Sequence, residues 1–297
     1  MSERIYTDWK DVASSYYEKC ASLAILILLF AFLVSPKLEV KSYQAEVKIT
    51  EAIVRNSIDE FLNSLDVDVA IAGGGPSGLV AAKYLADNDF DVVVFESKLS
   101  LGGGMWGGGM QFPRIVVQEE ALEILKEFGI KTRRYGDFYV ANSIESVAKL
   151  ISCTIDAGAR IFNGIHVEDV MIRKNMVVGF VINWSSVLIA NLHVDPVSIK
   201  AKSCIDATGH DAEICRIVQG KVGELNTPSG KIEGECSMWA EKSESLVVEN
   251  TREAYPGLYV AGMAANTVFG APRMGPIFGG MLLSGKRVAE LIIEKIR

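Results

Sequence analysis

Two glycine-rich turns, an acid placed after the first, three histidines and an arginine in a Gly/Pro-rich loop are the residues that could do chemistry here. Gly73, Gly75 and Gly78 make a G-x-G-x-x-G turn, and Glu96 follows eighteen residues past Gly78. In a dinucleotide site the first glycine permits the tight turn, the second lets backbone approach a pyrophosphate, and the third lets helix pack on strand. Ser77 can add an amide or hydroxyl donor. Glu96 can accept from ribose hydroxyls, which favours NAD or FAD over NADP. The second cluster, Gly102–Gly109, holds six glycines and cannot be an element interior. It would let a ligand lie on bare backbone, with Met105 and Trp106 as apolar cover. Arg273 offers a bidentate fork for a carboxylate, and its loop cannot be a helix face, which favours function over a surface ion pair. His210 follows an apolar strand, where loops carry ligands. His166, in an alternating segment, reads as a surface or packing residue.

These groups need elements to hold them. Val67–Ala72 is a short apolar strand that runs into the first glycine turn, a helix over Leu79–Asp87 and a second strand over Asp91–Phe95. That order is a βαβ unit, so the sheet should be mainly parallel. Apolar periodicity predicts helices over Ile49–Leu65 with Thr50 as N-cap, Val116–Phe128, Ser143–Ala157 and Gly279–Ile296. Gly164–Ile172 and Met176–Ile182 read as strands of an inserted sheet, turning at Lys174-Asn175. Lys200–Ala207 and Leu258–Ala261 are further strands. The expected class is α/β, a Rossmann-like dinucleotide-binding fold with an inserted small β-sheet.

The 297 residues are 49% hydrophobic, enough for one large α/β domain or two small ones. A net charge of −7 argues against a nucleic-acid surface, so phosphates must be met by local devices such as free backbone N–H groups. Five cysteines (Cys20, Cys153, Cys204, Cys215, Cys236) without a C-x-x-C pair fit a reducing cytosol rather than a disulfide framework. Residues 1–45 are atypical: Ala21–Val34 is an apolar run closed by Ser35-Pro36, short of the roughly 20 residues of a membrane span. Acids outnumber bases ahead of it, unlike a signal peptide. Membrane contact through residues 21–34 is therefore the less favoured alternative to a cytoplasmic location. Residues 46–297 form the expected dinucleotide-binding domain, for NAD or FAD.

A flavoprotein of the glutathione-reductase type also ends in a late strand and glycine, as in Leu258–Gly262, but normally follows with an Asp; here Met263 and Ala264 follow. The ordered motifs at 73–78, 96–97, 102–110, 192–196, 206–211, 262–266 and 270–281 together closely resemble the thiazole synthase family of thiamine biosynthesis, in particular its archaeal branch, over about residues 46–297.

The resemblance implies a single-domain relative of the glutathione-reductase fold that binds NAD and assembles as a homo-octamer. It implies a pentosyl-transferring enzyme that builds an ADP-linked thiazole carboxylate from NAD, glycine and free sulfide with Fe(II). Asp195 and His210 would be iron ligands reaching one metal from adjacent protomers, a donor pair suited to ferrous iron. Arg273 would hold the glycine carboxylate. Gly104, Val167, His193, Val194 and Met263, with Ser97 after Glu96, would line NAD or the intermediate, and His193 and Asp195 would be the acid–base groups. Where one branch of the family carries a sacrificial cysteine, this chain has His193; the nearest thiol, Cys204, is expected in a buried strand, where it is inert. Free sulfide is then the sulfur source. An FAD-dependent oxidoreductase and a relative acting on a phosphorylated pentose are the alternatives.

Overall fold

The computed structural model describes residues 44–297, so the apolar run at 21–34 lies outside the described residues. The chain divides into two units, Met1–Ser57 and Ile58–Arg297. In chain order the elements are α1 (Gln44–Leu62), β1 (Asp66–Ala72), α2 (Pro76–Ala86), β2 (Val92–Glu96), β3 (Arg114–Val117), α3 (Leu122–Glu127), β4 (Thr132–Tyr135) and β5 (Phe138–Asn142). There follow α4 (Ser143–Asp156), β6 (Arg160–Asn163), β7 (Ile165–Arg173), β8 (Met176–Trp184), α5 (Ser185–Ile189), β9 (Val197–Asp206) and α6 (Glu213–Val222). The last are α7 (Ala240–Glu249), β10 (Glu253–Tyr255), β11 (Leu258–Val260), α8 (Met263–Phe269) and α9 (Gly279–Ile296).

The second unit is built on one sheet in the order β10-β11-β9-β1-β2-β6. Its centre is parallel, with β1 between β2 and β9. A strand flanked on both sides and covered on both faces can be apolar throughout, and Val69–Ala72 are indeed all buried. The β7–β8 hairpin joins the sheet antiparallel through β9, so the expected insertion is real but continuous with the main sheet. A separate antiparallel sheet, β3-β5-β4, lies outside it. Among the described residues no helix is long and apolar enough to cross a membrane.

Two helix expectations need correction. Arg114–Val117 is a strand: Ile115 and Val117 face the core at period two, and β3 pairs with β5 while Val116 bridges Ile277. A 3-10 turn over Glu119–Ala121 then leads into the six-residue α3. The apolar residues of 115–125 fit a helical stripe only if strand pairing is ignored, and tertiary pairing prevails. Thr50 is inside α1 instead of capping it, its hydroxyl donating to the Glu46 carbonyl.

The glycine turn behaves as its spacing suggests. Gly73 has φ +102°, and a Cβ there would lie 2.4 Å from the Ala207 carbonyl oxygen of the β9 exit. A Cβ on Gly78 would lie 2.1 Å from the Gly73 oxygen. Bare backbone at both positions lets α2 start directly over β1, with Leu79, Val80 and Leu85 fully buried beneath it. Each such side chain contributes about 2 kcal/mol by leaving water.

Candidate active site

The ends of β1, β2, β7 and β9 open into a cavity of about 670 Å3. That volume is of the size of small-molecule and cofactor pockets. Its position, beyond the carboxyl ends of parallel strands, is where α/β sheets bind ligands.

One wall is the dinucleotide turn, with Gly73, Gly75 and Ser77, and the α2 N-terminus behind it. Glu96, at the end of β2, is 7% exposed and lines the same wall. Its carboxylate accepts from the Gly74 amide at 2.9 Å and the Lys98 amide at 2.8 Å. Both acceptor bonds lock the turn to the strand end; remaining lone pairs can take hydroxyl donors. Ser97 and Gly104 also line the cavity, as do Val167 and Met263. Gly78 does not line it; it serves helix packing from below.

The second glycine cluster departs from expectation in one respect. Gly103, Gly104, Gly108, Gly109 and Met110 line the cavity, but Met105 is fully buried in the core against the β3–β5 sheet, and Trp106, whose indole N–H donates to the Leu101 carbonyl, does not line it. Met110 supplies the apolar cover instead.

The opposite wall carries the chemistry. Asp206, fully buried at the end of β9, accepts from the Thr208 amide and hydroxyl and from the Cys215 amide. It holds the Thr208–Asp211 turn between β9 and α6, and so seats His210 in the cavity. His210 Nδ1 lies 2.6 Å from Glu235 Oε1. Arg273 lines the cavity from a loop whose backbone bonds Cys236 and Trp239. Arginine ion pairs among the described residues involve Arg55, Arg160 and Arg287, so the Arg273 guanidinium faces the cavity without a carboxylate. His166, read from its alternating segment as a surface or packing residue, is half-buried in the cavity wall. Glu213 joins it there; burial pushes its carboxyl up, against the opposing pull of His166. Neither His166, Glu213 nor Glu235 carried a sequence signal of its own, since the first sits in a plain strand and the last in an aperiodic loop.

His193, Val194 and Asp195 are elsewhere. All three are exposed, and none lines the cavity. Their loop is tethered by Asn183, whose amide donates to the Val194 carbonyl at 3.0 Å. Around it Trp184, Leu188, Ile189, Leu192 and Val197 are each more than half exposed. Among the described residues no group of three or more metal-binding side chains occurs within one chain. Cys204 is fully buried in β9 and burial pushes its thiol up, as expected of an inert thiol. Cys236 is exposed in a loop but does not line the cavity.

Behind the Arg273 loop, α7 acts as a brace. Ser243 donates to the Pro272 carbonyl, and Glu244 Oε2 accepts from the Gly280 amide at the start of α9. Glu244 Oε1 is buried without a partner. Burial pushes this carboxyl up to about 7 from its ordinary 4.5. The unfolded chain releases the proton near 4.5 and the folded chain only near 7. Stability is therefore full below about pH 4.5 and falls by about 3 kcal/mol as pH rises through 7. Glu244→Gln, which mimics the protonated acid, should flatten that fall in urea unfolding compared at pH 5 and pH 8. Equal losses in variant and wild type would contradict the assignment.

Comparison with known proteins finds relatives along most of the chain. The model of the Thi4 family matches residues 50–278. A thiamine thiazole synthase of Methanothermobacter thermautotrophicus is 58% identical over 254 residues, covering 85% of this chain and 98% of the relative. One from Pyrococcus horikoshii is 54% identical over 253 residues, covering 85% of this chain and 98% of that protein. The crystal structure of Thermovibrio ammonificans THI4 superposes with a TM-score of 0.82 at 47% identity, covering 84% of this chain and 98% of that one.

Proposed function

The chain belongs to the Thi4 family and is an enzyme of thiazole synthesis for thiamine, and from that premise we propose that it forms an ADP-linked thiazole carboxylate from NAD, glycine and free sulfide, with Fe(II) held by His210 of one copy and Asp195 of another. The observation that carries the reading is the division of labour within one chain. Glu96, His210 and Arg273 share a cavity, while His193 and Asp195 sit outside it on an apolar exposed strip. A strip of that kind marks a protein–protein contact. A neighbouring copy packed there would bring its carboxylate to the imidazole, and a homo-octamer supplies such neighbours.

The donor set fits ferrous iron: one imidazole whose Nε2 has no protein partner among the described residues, one carboxylate, and open positions. When bound, iron would carry the sulfide nucleophile and act as a Lewis acid. The chain's own residues do the rest. The Gly75 backbone and α2 N-terminus receive the pyrophosphate of NAD, and Glu96 takes the adenosine ribose hydroxyls. The absence of an acid after Gly262, where Met263 lines the cavity, favours NAD over a flavin on this glutathione-reductase-like frame. After nicotinamide leaves, glycine condenses with the opened ribose, and Arg273 orients the glycine carboxylate. The imine-to-ketone shifts need proton carriers at the sugar, the role assigned to His193 and Asp195 of the neighbouring copy. Ser97, Gly104 and Val167, with Val194 of the neighbouring copy, complete the enclosure. With His193 where the sacrificial cysteine would stand and Cys204 buried, sulfur comes from solution and the enzyme turns over.

Arg273→Ala tests the assignment. A charge-assisted fork is worth about 1.5–3 kcal/mol, so the glycine KM should rise roughly ten- to hundredfold. NAD affinity measured by calorimetry should stay unchanged. Parallel loss of NAD binding would refute the glycine role.

A further inference from the structure

We propose that Glu235 is a positioning residue for His210: its carboxylate fixes the imidazole as the Nδ1–H tautomer and leaves Nε2 as the nitrogen offered to a cation in the cavity. The inference rests on the reading of His210 as a metal ligand and deepens it. A carboxylate can only accept, so at 2.6 Å from Glu235 Oε1 the His210 Nδ1 must donate. In the neutral ring, an Nδ1–H committed to a carboxylate leaves Nε2 as the lone-pair nitrogen, which is the form a metal needs. The Glu235 side chain is 19% exposed and that of His210 46%. A hydrogen bond so close to solvent adds little to stability, so the contact is better explained by what it does to the ring.

The surrounding backbone makes the contact a fixture. Thr267 in α8 holds both partners: its hydroxyl donates to the His210 carbonyl at 2.9 Å, and its own carbonyl accepts from the Gly234 amide at 3.0 Å. The Glu233 amide bonds the Val268 carbonyl, and the Cys236 amide bonds the Ala271 carbonyl. The same strap then reaches Arg273, whose amide donates to the Cys236 carbonyl at 3.2 Å. One short segment thus sets the histidine ring and the carboxylate-binding arginine at a fixed separation.

The test compares Glu235→Gln, Glu235→Ala and His210→Ala as full-length protein. Anaerobic Fe(II) titration against a competing chelator reads affinity, and 15N NMR of metal-free protein reads the His210 tautomer. Wild type should show the Nδ1–H form. Glu235→Ala should show a tautomer mixture and bind Fe(II) roughly 10- to 100-fold more weakly. Glu235→Gln, whose amide oxygen still accepts from Nδ1–H, should keep the tautomer and recover most of the affinity. Unchanged NAD binding in both variants confirms an intact fold. Affinity and tautomer unaltered in Glu235→Ala overturn the proposal, and so does equal loss in both variants, which would make Glu235 a ligand itself. If His210→Ala keeps wild-type Fe(II) affinity, the metal-ligand reading fails first. If it loses iron while Glu235→Ala does not, only the positioning role fails.

Discussion

Mixing His210→Ala chains with Asp195→Ala chains restores activity that neither variant has alone. Each substitution removes one of two protein ligands, so each homogeneous assembly should lose thiazole formation and most of its Fe(II) affinity. In a randomly reassociated mixture, a site that draws its imidazole from one copy and its carboxylate from the next is intact with a probability of about one quarter. Activity after dissociation and reassembly should therefore approach about a quarter of wild type. The basis is positional: His210 lines the cavity of its own chain, and Asp195 stands on an exposed loop outside it. A mixture as inactive as its components would place both ligands in one chain and contradict the shared site.

Gly75→Ala should weaken NAD binding at least tenfold while leaving the fold intact. Gly75 has φ −75°, which any residue adopts, and a Cβ there meets nothing within 4 Å. The added methyl therefore costs the protein nothing and projects into the cavity, where the pyrophosphate must touch bare backbone. At least a tenfold loss in NAD affinity, about 1.4 kcal/mol, is expected with an unchanged melting temperature. Gly78→Ala is the contrast, because its Cβ would strike the Gly73 oxygen and force α2 off the sheet. It should lower the melting temperature and lose NAD binding as a consequence. Wild-type NAD affinity in Gly75→Ala would remove the pyrophosphate from this turn.

These two glycines show why part of the site was legible in the sequence. The G-x-G-x-x-G spacing and the acid eighteen residues later encode a local strand–turn–helix–strand unit, and Gly73, Gly75, Gly78 and Glu96 fall where that unit requires. Strands β1 and β2 were legible because burial on both faces leaves an apolar run, and β9 because Ile199 and Ala201 alternate with exposed Lys200 and Lys202 before its buried end. Strand β3 was not, because Ile115 and Val117 gain their strand character from β5 and Ile277, which are distant in sequence. The β4–β5 hairpin carries only a short turn signal, Gly136-Asp137, with Gly136 at φ +59°. His166 and Glu213 reach the cavity, and Glu235 reaches His210, only through long-range folding, so neither period nor motif marks them. The loop of His193 and Asp195 is the reverse case: its motif is distinctive, yet within one chain it faces away from the cavity it is assigned to serve.

The most direct test is anaerobic incubation of the protein with NAD, glycine, Fe(II) and sulfide, followed by mass analysis of both the small molecules and the intact polypeptide. The expected result is an ADP-linked thiazole carboxylate in molar excess over protein, with the polypeptide mass unchanged. No such product from folded, iron-loaded protein, or a single equivalent accompanied by conversion of a cysteine to dehydroalanine, would contradict it.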